Sequence, residues 1–108
     1  MKNSEEVLKK IDEIPNLQRE VTEQVVKREL EEAKEYGSLE NFLKSIVGEE
    51  NFKNEEITKK KLIDYYMENI PYMGYCHKFW DVKKNLLKNK YQIDWYTPSE
   101  ENPDIIYE

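Results

Sequence analysis

Apolar residues recur along this chain at intervals of three and four, the spacing that lines one face of an α-helix. Val7, Leu8, Ile11 and Ile14 form the first stripe. Ser4 is its expected cap, Glu5 and Glu6 suit the positive end of its dipole, and Pro15 stops it. The second stripe runs through Leu17, Val21, Val25, Val26, Leu30 and Ala33, with Asn16 as its expected cap. Gly37 fits the left-handed residue that closes such a helix. At about 20 residues this is the longest element, roughly 30 Å at 1.5 Å per residue.

Ser38 is the expected cap of a third helix carrying Leu39, Phe42, Leu43, Ile46 and Val47, and Gly48 stops it. Asn54, followed by Glu55 and Glu56, starts a fourth with Ile57, Leu62, Ile63, Tyr66, Met67 and Ile70. Pro71 and Gly74 mark a turn. A fifth helix then buries Cys76, Phe79, Trp80, Leu86 and Leu87, with Lys83 covered along its stem, and runs to about Lys90.

After Lys90 the period changes. Tyr91, Ile93 and Trp95 alternate with polar residues, as in a short extended segment laid on helices. Thr97, Pro98 and Glu100 then have the spacing of a capping box with proline at the first helical position. Asn102 and Pro103 end that turn, and Asp104 to Glu108 form a tail.

The pattern predicts an all-α fold, a small bundle of about five helices with a short extended C-terminal segment packed on it. One domain is expected over residues 1–108. Its charged N-terminal helices span 4–47, an aromatic-rich core half spans 54–97, and an acidic tail spans 98–108. Nine of the 13 aromatic residues lie between Tyr65 and Tyr96, so large rings concentrate the expected core there.

Composition narrows the setting. A single cysteine cannot form an internal disulfide, the N-terminal residues lack the apolar run of a signal peptide, and no stretch is long and apolar enough to span a bilayer. The expected location is therefore the cytoplasm. The net charge of −6 is uneven, since residues 94–108 carry five acids and no base. An acidic total disfavours non-specific binding to phosphate backbones.

Candidate chemistry is sparse. Cys76 and His77 are adjacent on one helix and point about 100° apart, so they do not form a nucleophile–base pair. His77 sits one turn before Asp81, a spacing that can raise an imidazole pKa but more often makes a solvated helix contact. With one histidine and one cysteine, no metal site is expected. Three glycines cannot supply a phosphate loop. No enzyme activity and no cofactor are expected.

Binding surfaces remain. The Tyr72 and Met73 turn, with Tyr75 after it and Tyr65 before it, has the adaptable large side chains favoured at interfaces. The second helix presents a run of acids, among them Glu29 and Glu32, that can face a basic partner. The leading expectation is a small helical protein–protein interaction or regulatory module, in one form an inhibitor with an acidic binding face, whose protein partner is unidentified. The long amphipathic second helix can also pair with its own copy, so a homodimer is among the expected assemblies. The alternative is a helix-turn-helix-like nucleic-acid binder using Lys78, Lys84 and Lys88 of the fifth helix. It is the lesser expectation, because arginine and amide side chains at base-reading positions are not evident.

Overall fold

The computed structural model describes residues 3–69 and 77–104, and every regular element among them is a helix. In chain order these are α1 (Glu5–Asp12), α2 (Leu17–Ala33), α3 (Gly37–Val47), α4 (Glu49–Phe52), α5 (Glu55–Glu68), α6 (His77–Tyr91) and α7 (Pro98–Glu101). Five exceed seven residues, as the apolar stripes require, and the all-α expectation holds. The expected turn at Pro71 to Gly74, with Tyr72, Met73, Tyr75 and Cys76, lies outside the described residues, as do residues 105–108.

Local chemistry explains most helix boundaries. The Ser4 hydroxyl accepts from the Val7 N–H, and the Asn54 side chain accepts from the Ile57 N–H, so both caps fall where the sequence puts them. Thr97 and Glu100 complete a reciprocal capping box around Pro98. Gly48 ends α3 at φ 90°, a conformation that side chains resist, and α4 restarts immediately after it.

Three expected boundaries differ. Gly37 is the first residue of α3 rather than a left-handed stop to α2. The break is made by Tyr36, whose extended backbone lets the chain re-enter a helix without a left-handed residue. Ser38 therefore lies inside the first turn of α3 and is not its cap. Asn16 takes a left-handed conformation at φ 57°, which asparagine tolerates, instead of the extended backbone of an N-cap. The extended segment begins one residue late. Tyr91 still belongs to α6, Gln92 turns left-handed at φ 56°, and the Ile93 N–H reaches back to the Leu87 carbonyl at 2.9 Å.

The described residues fall into two compact units that do not follow chain order. One joins residues 3–17 to 77–104, so α1 groups with α6, the segment 92–97 and α7. Phe79, Trp80, Val82, Leu87 and Trp95 are its buried apolar residues toward the C-terminus, and Ile11 is the buried residue of α1. The other unit spans 18–69, where α3, α4 and α5 pack on one another. Leu43 and Leu62 are fully buried there, and truncating either to alanine costs about 2–5 kcal/mol.

Candidate functional site

One concavity lies within the 18–69 unit and has a volume of about 350 Å³. The last turn of α2 supplies Leu30 and Ala33, α4 supplies Phe52, and the first turns of α3 and α5 supply Glu40, Glu55 and, further in, Thr58. Lys34 stands at the end of α2. Apolar side chains, one of them aromatic, thus share the cleft with a lysine and two carboxylates from separate helices.

Several contacts fix this geometry. Thr58 is buried, and its hydroxyl lies 3.0 Å and 2.9 Å from the carbonyl oxygens of Asn51 and Asn54, which accept its proton. That ties the α4–α5 connection to the start of α5. Asn51 donates its side-chain amide to the Val47 carbonyl at 2.8 Å, holding α4 against the end of α3. Phe52 is placed by these bonds and by Gly48, whose positive φ lets the chain turn from α3 into α4.

Ion pairs edge the cleft. Lys44 approaches Glu40 at 3.2 Å, Lys59 approaches Glu55 at 3.6 Å, and Lys34 approaches Glu31 at 3.3 Å. Each pair joins residues three or four apart on one helix or its end, and such partly exposed pairs contribute a few tenths of a kcal/mol. The Lys44 ammonium also stands 5.5 Å from the centroid of the Phe52 ring. One cation is therefore held against both a carboxylate and an aromatic face that line the cleft.

Three of the sequence-predicted binding residues, Glu29, Glu32 and Tyr65, are among the described residues. Glu29, expected on an outward acidic face, is buried at 7% exposure, because it continues the i+4 series Val21, Val25, Glu29, Ala33 into the covered face of α2. It is not available to a docking partner in this structure. Glu32 is half-buried. Tyr65 is exposed, with its ring 5.9 Å from that of Tyr66. Tyr72, Met73 and Tyr75 lie outside the described residues.

The lysines of α6 are largely engaged. Lys84 donates to both carboxylate oxygens of Glu100, at 2.6 Å and 2.8 Å, and lies 5.5 Å from the Tyr96 ring centroid. Lys88 is exposed and Lys78 half-buried. At 100° per residue, Asp81 falls on the arc between Lys78 and the Lys84–Lys88 edge, so the three do not form an unbroken cationic strip. His77 is exposed and meets Trp80 edge-on, with ring centroids 5.0 Å apart. Among the described residues, no group of three or more His, Cys, Asp or Glu side chains is placed to hold a metal ion. Among them, too, no helix is long and apolar enough to cross a membrane.

Sequence reasoning missed the cleft because its residues look ordinary singly. Phe52 lies in a stretch expected to be loop, and Glu40 and Glu55 look like first-turn acids. The available signal was an aromatic residue stranded between Gly48 and Asn54 with no stripe of its own. Comparison with known proteins gives no match: no family model, no curated protein and no solved structure is similar to this chain.

Proposed function

We propose that this chain is a protein-binding module whose 18–69 unit receives an apolar side chain of a partner polypeptide. The cleft of about 350 Å³ over Leu30, Ala33 and Phe52 carries the reading. It lies at the small end of the range for ligand clefts, roughly 300–1,000 Å³, which suits one or two side chains better than a large cofactor. A buried apolar anchor with a charged rim is the usual economy of peptide recognition: the anchor supplies affinity and the rim supplies register.

The exposed Phe42 is not part of this site. It lies about 160° around α3 from Glu40, at 100° per residue, and is 46% exposed. The carboxylates at 40 and 55 face the opening instead.

Panning a phage-displayed random peptide library against the intact chain tests the reading. Enriched peptides should share a Leu, Met or Phe anchor. Ala33→Phe, which fills the floor, should abolish their binding while unfolding remains cooperative. Phe52→Ser removes the wall without adding bulk and should weaken binding as well. Failure to enrich any apolar-anchored peptide, or undiminished binding to both variants, would overturn the proposal.

A further inference from the structure

Resting on that reading, we infer that the partner segment is basic, with a Lys or Arg next to its anchor received between Glu40 and Glu55. The two carboxylates come from different helices, α3 and α5, and both line the same opening. Neither is committed to a strong pair. Their lysines, Lys44 at 3.2 Å and Lys59 at 3.6 Å, sit one turn along the same helix, in contacts that a guest cation can replace at small cost.

Lys44 shows what the wall accommodates. Its ammonium touches the Glu40 carboxylate while standing over the Phe52 ring, so carboxylate and ring already hold a primary amine together. A basic residue arriving from a partner would meet the same pair of groups, with Glu55 lining the same cleft. Lys34 is the opposing charge at the rim, and Glu31 draws it aside at 3.3 Å. Over the whole unit, residues 18–69 carry 13 acids against nine bases, a field that speeds the approach of cationic segments.

Three blocked peptides with one shared Leu anchor separate the possibilities, followed respectively by Lys-Arg, Ala-Ala or Glu-Glu. Fluorescence polarisation against the intact chain should show the basic peptide binding about tenfold more tightly than the alanine peptide at low salt. The acidic peptide should bind worst. Added salt, or the double substitution Glu40→Gln and Glu55→Gln, should erase the advantage of the basic peptide over the alanine peptide. Lys44→Met removes the resident cation and should tighten binding of the basic peptide severalfold without helping the alanine peptide. Equal binding of basic and alanine peptides would overturn the charge assignment and leave the apolar cleft standing. Binding of none of the three would overturn both. Weaker binding of the basic peptide to Lys44→Met would show that the guest does not take the place of that ammonium, and would also overturn the inference.

Discussion

The side-chain amide of Asn3 holds the main chain of Tyr96 at both polar atoms. Its Nδ2 donates to the Tyr96 carbonyl at 2.9 Å, and its Oδ1 accepts from the Tyr96 N–H at 2.7 Å. The Asn3 N–H donates to the Glu101 carboxylate, and the residue is buried. A neighbouring strand would satisfy an extended segment in the same way, so one carboxamide does the work of a strand for the turn after α6. Asn3→Ala should cost about 1–3 kcal/mol by leaving both groups of Tyr96 without this partner. Asn3→Asp should cost at least as much, because a second acceptor would then face the Tyr96 carbonyl. Urea unfolding midpoints at constant slope measure this, and an unchanged midpoint for Asn3→Ala would show that water replaces the clasp freely.

Gly37 and Gly48 bracket α3 and should respond in opposite directions to alanine. Gly37 begins the helix with no left-handed backbone, and a Cβ there meets nothing within 4 Å. Gly37→Ala should stabilise by about 0.5–1 kcal/mol, chiefly by restricting the unfolded chain. Gly48 sits at φ +90°, and Gly48→Ala should destabilise by more than about 1 kcal/mol. Because Phe52 follows from that turn, Gly48→Ala should also weaken peptide binding at the cleft. Thermal melts of the two variants moving the same way would contradict the backbone assignment at one of them.

These glycines also mark how far the sequence could be read. Spacing and capping chemistry located most of the apolar stripes, with Phe42 and Ile57 exposed against expectation, and also the caps at Ser4 and Asn54, the Gly48 stop and the Thr97 box, because each depends on neighbours within four residues. The burial of Lys83 by its stem was readable for the same reason. Tyr36 was not, since an extended residue with no capping side chain leaves no local mark. The Asn3–Tyr96 clasp spans a separation of 93 residues, which no periodicity reports. Glu29 is the instructive case between these. Its i+4 relation to Val25 and Ala33 put it on the stripe, yet its charge suggested solvent. The cleft at Phe52 depends on residues of four helices meeting, and helix periodicity alone does not specify which helices meet.

The bridge from Lys84 to Glu100 should leave an acid limb in the stability of the chain. The hydrogen bond from Lys84, followed by that from the Thr97 N–H, holds the Glu100 carboxyl below its ordinary value of 4.5. The folded chain therefore binds this proton less readily than the unfolded chain. The stabilisation is complete above about pH 4.5 and is lost as pH falls through the lower folded value. Lys84→Met should lie below the unaltered chain by a constant amount from neutrality down to that point, and the two curves should converge in stronger acid. Both side chains are more than a third exposed, so added salt should shrink the gap. A gap that persists undiminished at low pH would assign the loss to packing of the lysine stem.

Lys83 should act at the opposite end of the pH scale. Its ammonium stands 4.6 Å from the Trp95 ring centroid, burial pushes its pKa below 10.5, and the Asp12 carboxylate opposes that shift only in part. With the folded pKa depressed, the unfolded chain binds more protons in the window below 10.5, so stability rises with pH there. Lys83→Met removes the titrating group, and the difference between variant and unaltered chain should narrow or reverse in favour of the unaltered chain across that window. Lys83→Arg keeps a cation over Trp95 but cannot lose its proton, so it should also fail to gain at high pH. Near neutrality Lys83→Met should be neutral or stabilising, since a charge is relieved of burial. If it instead destabilises by more than about 1 kcal/mol, the attraction of the ammonium for the Trp95 face and Asp12 outweighs its desolvation. The variant Lys83→Arg would then retain the stability that Lys83→Met loses.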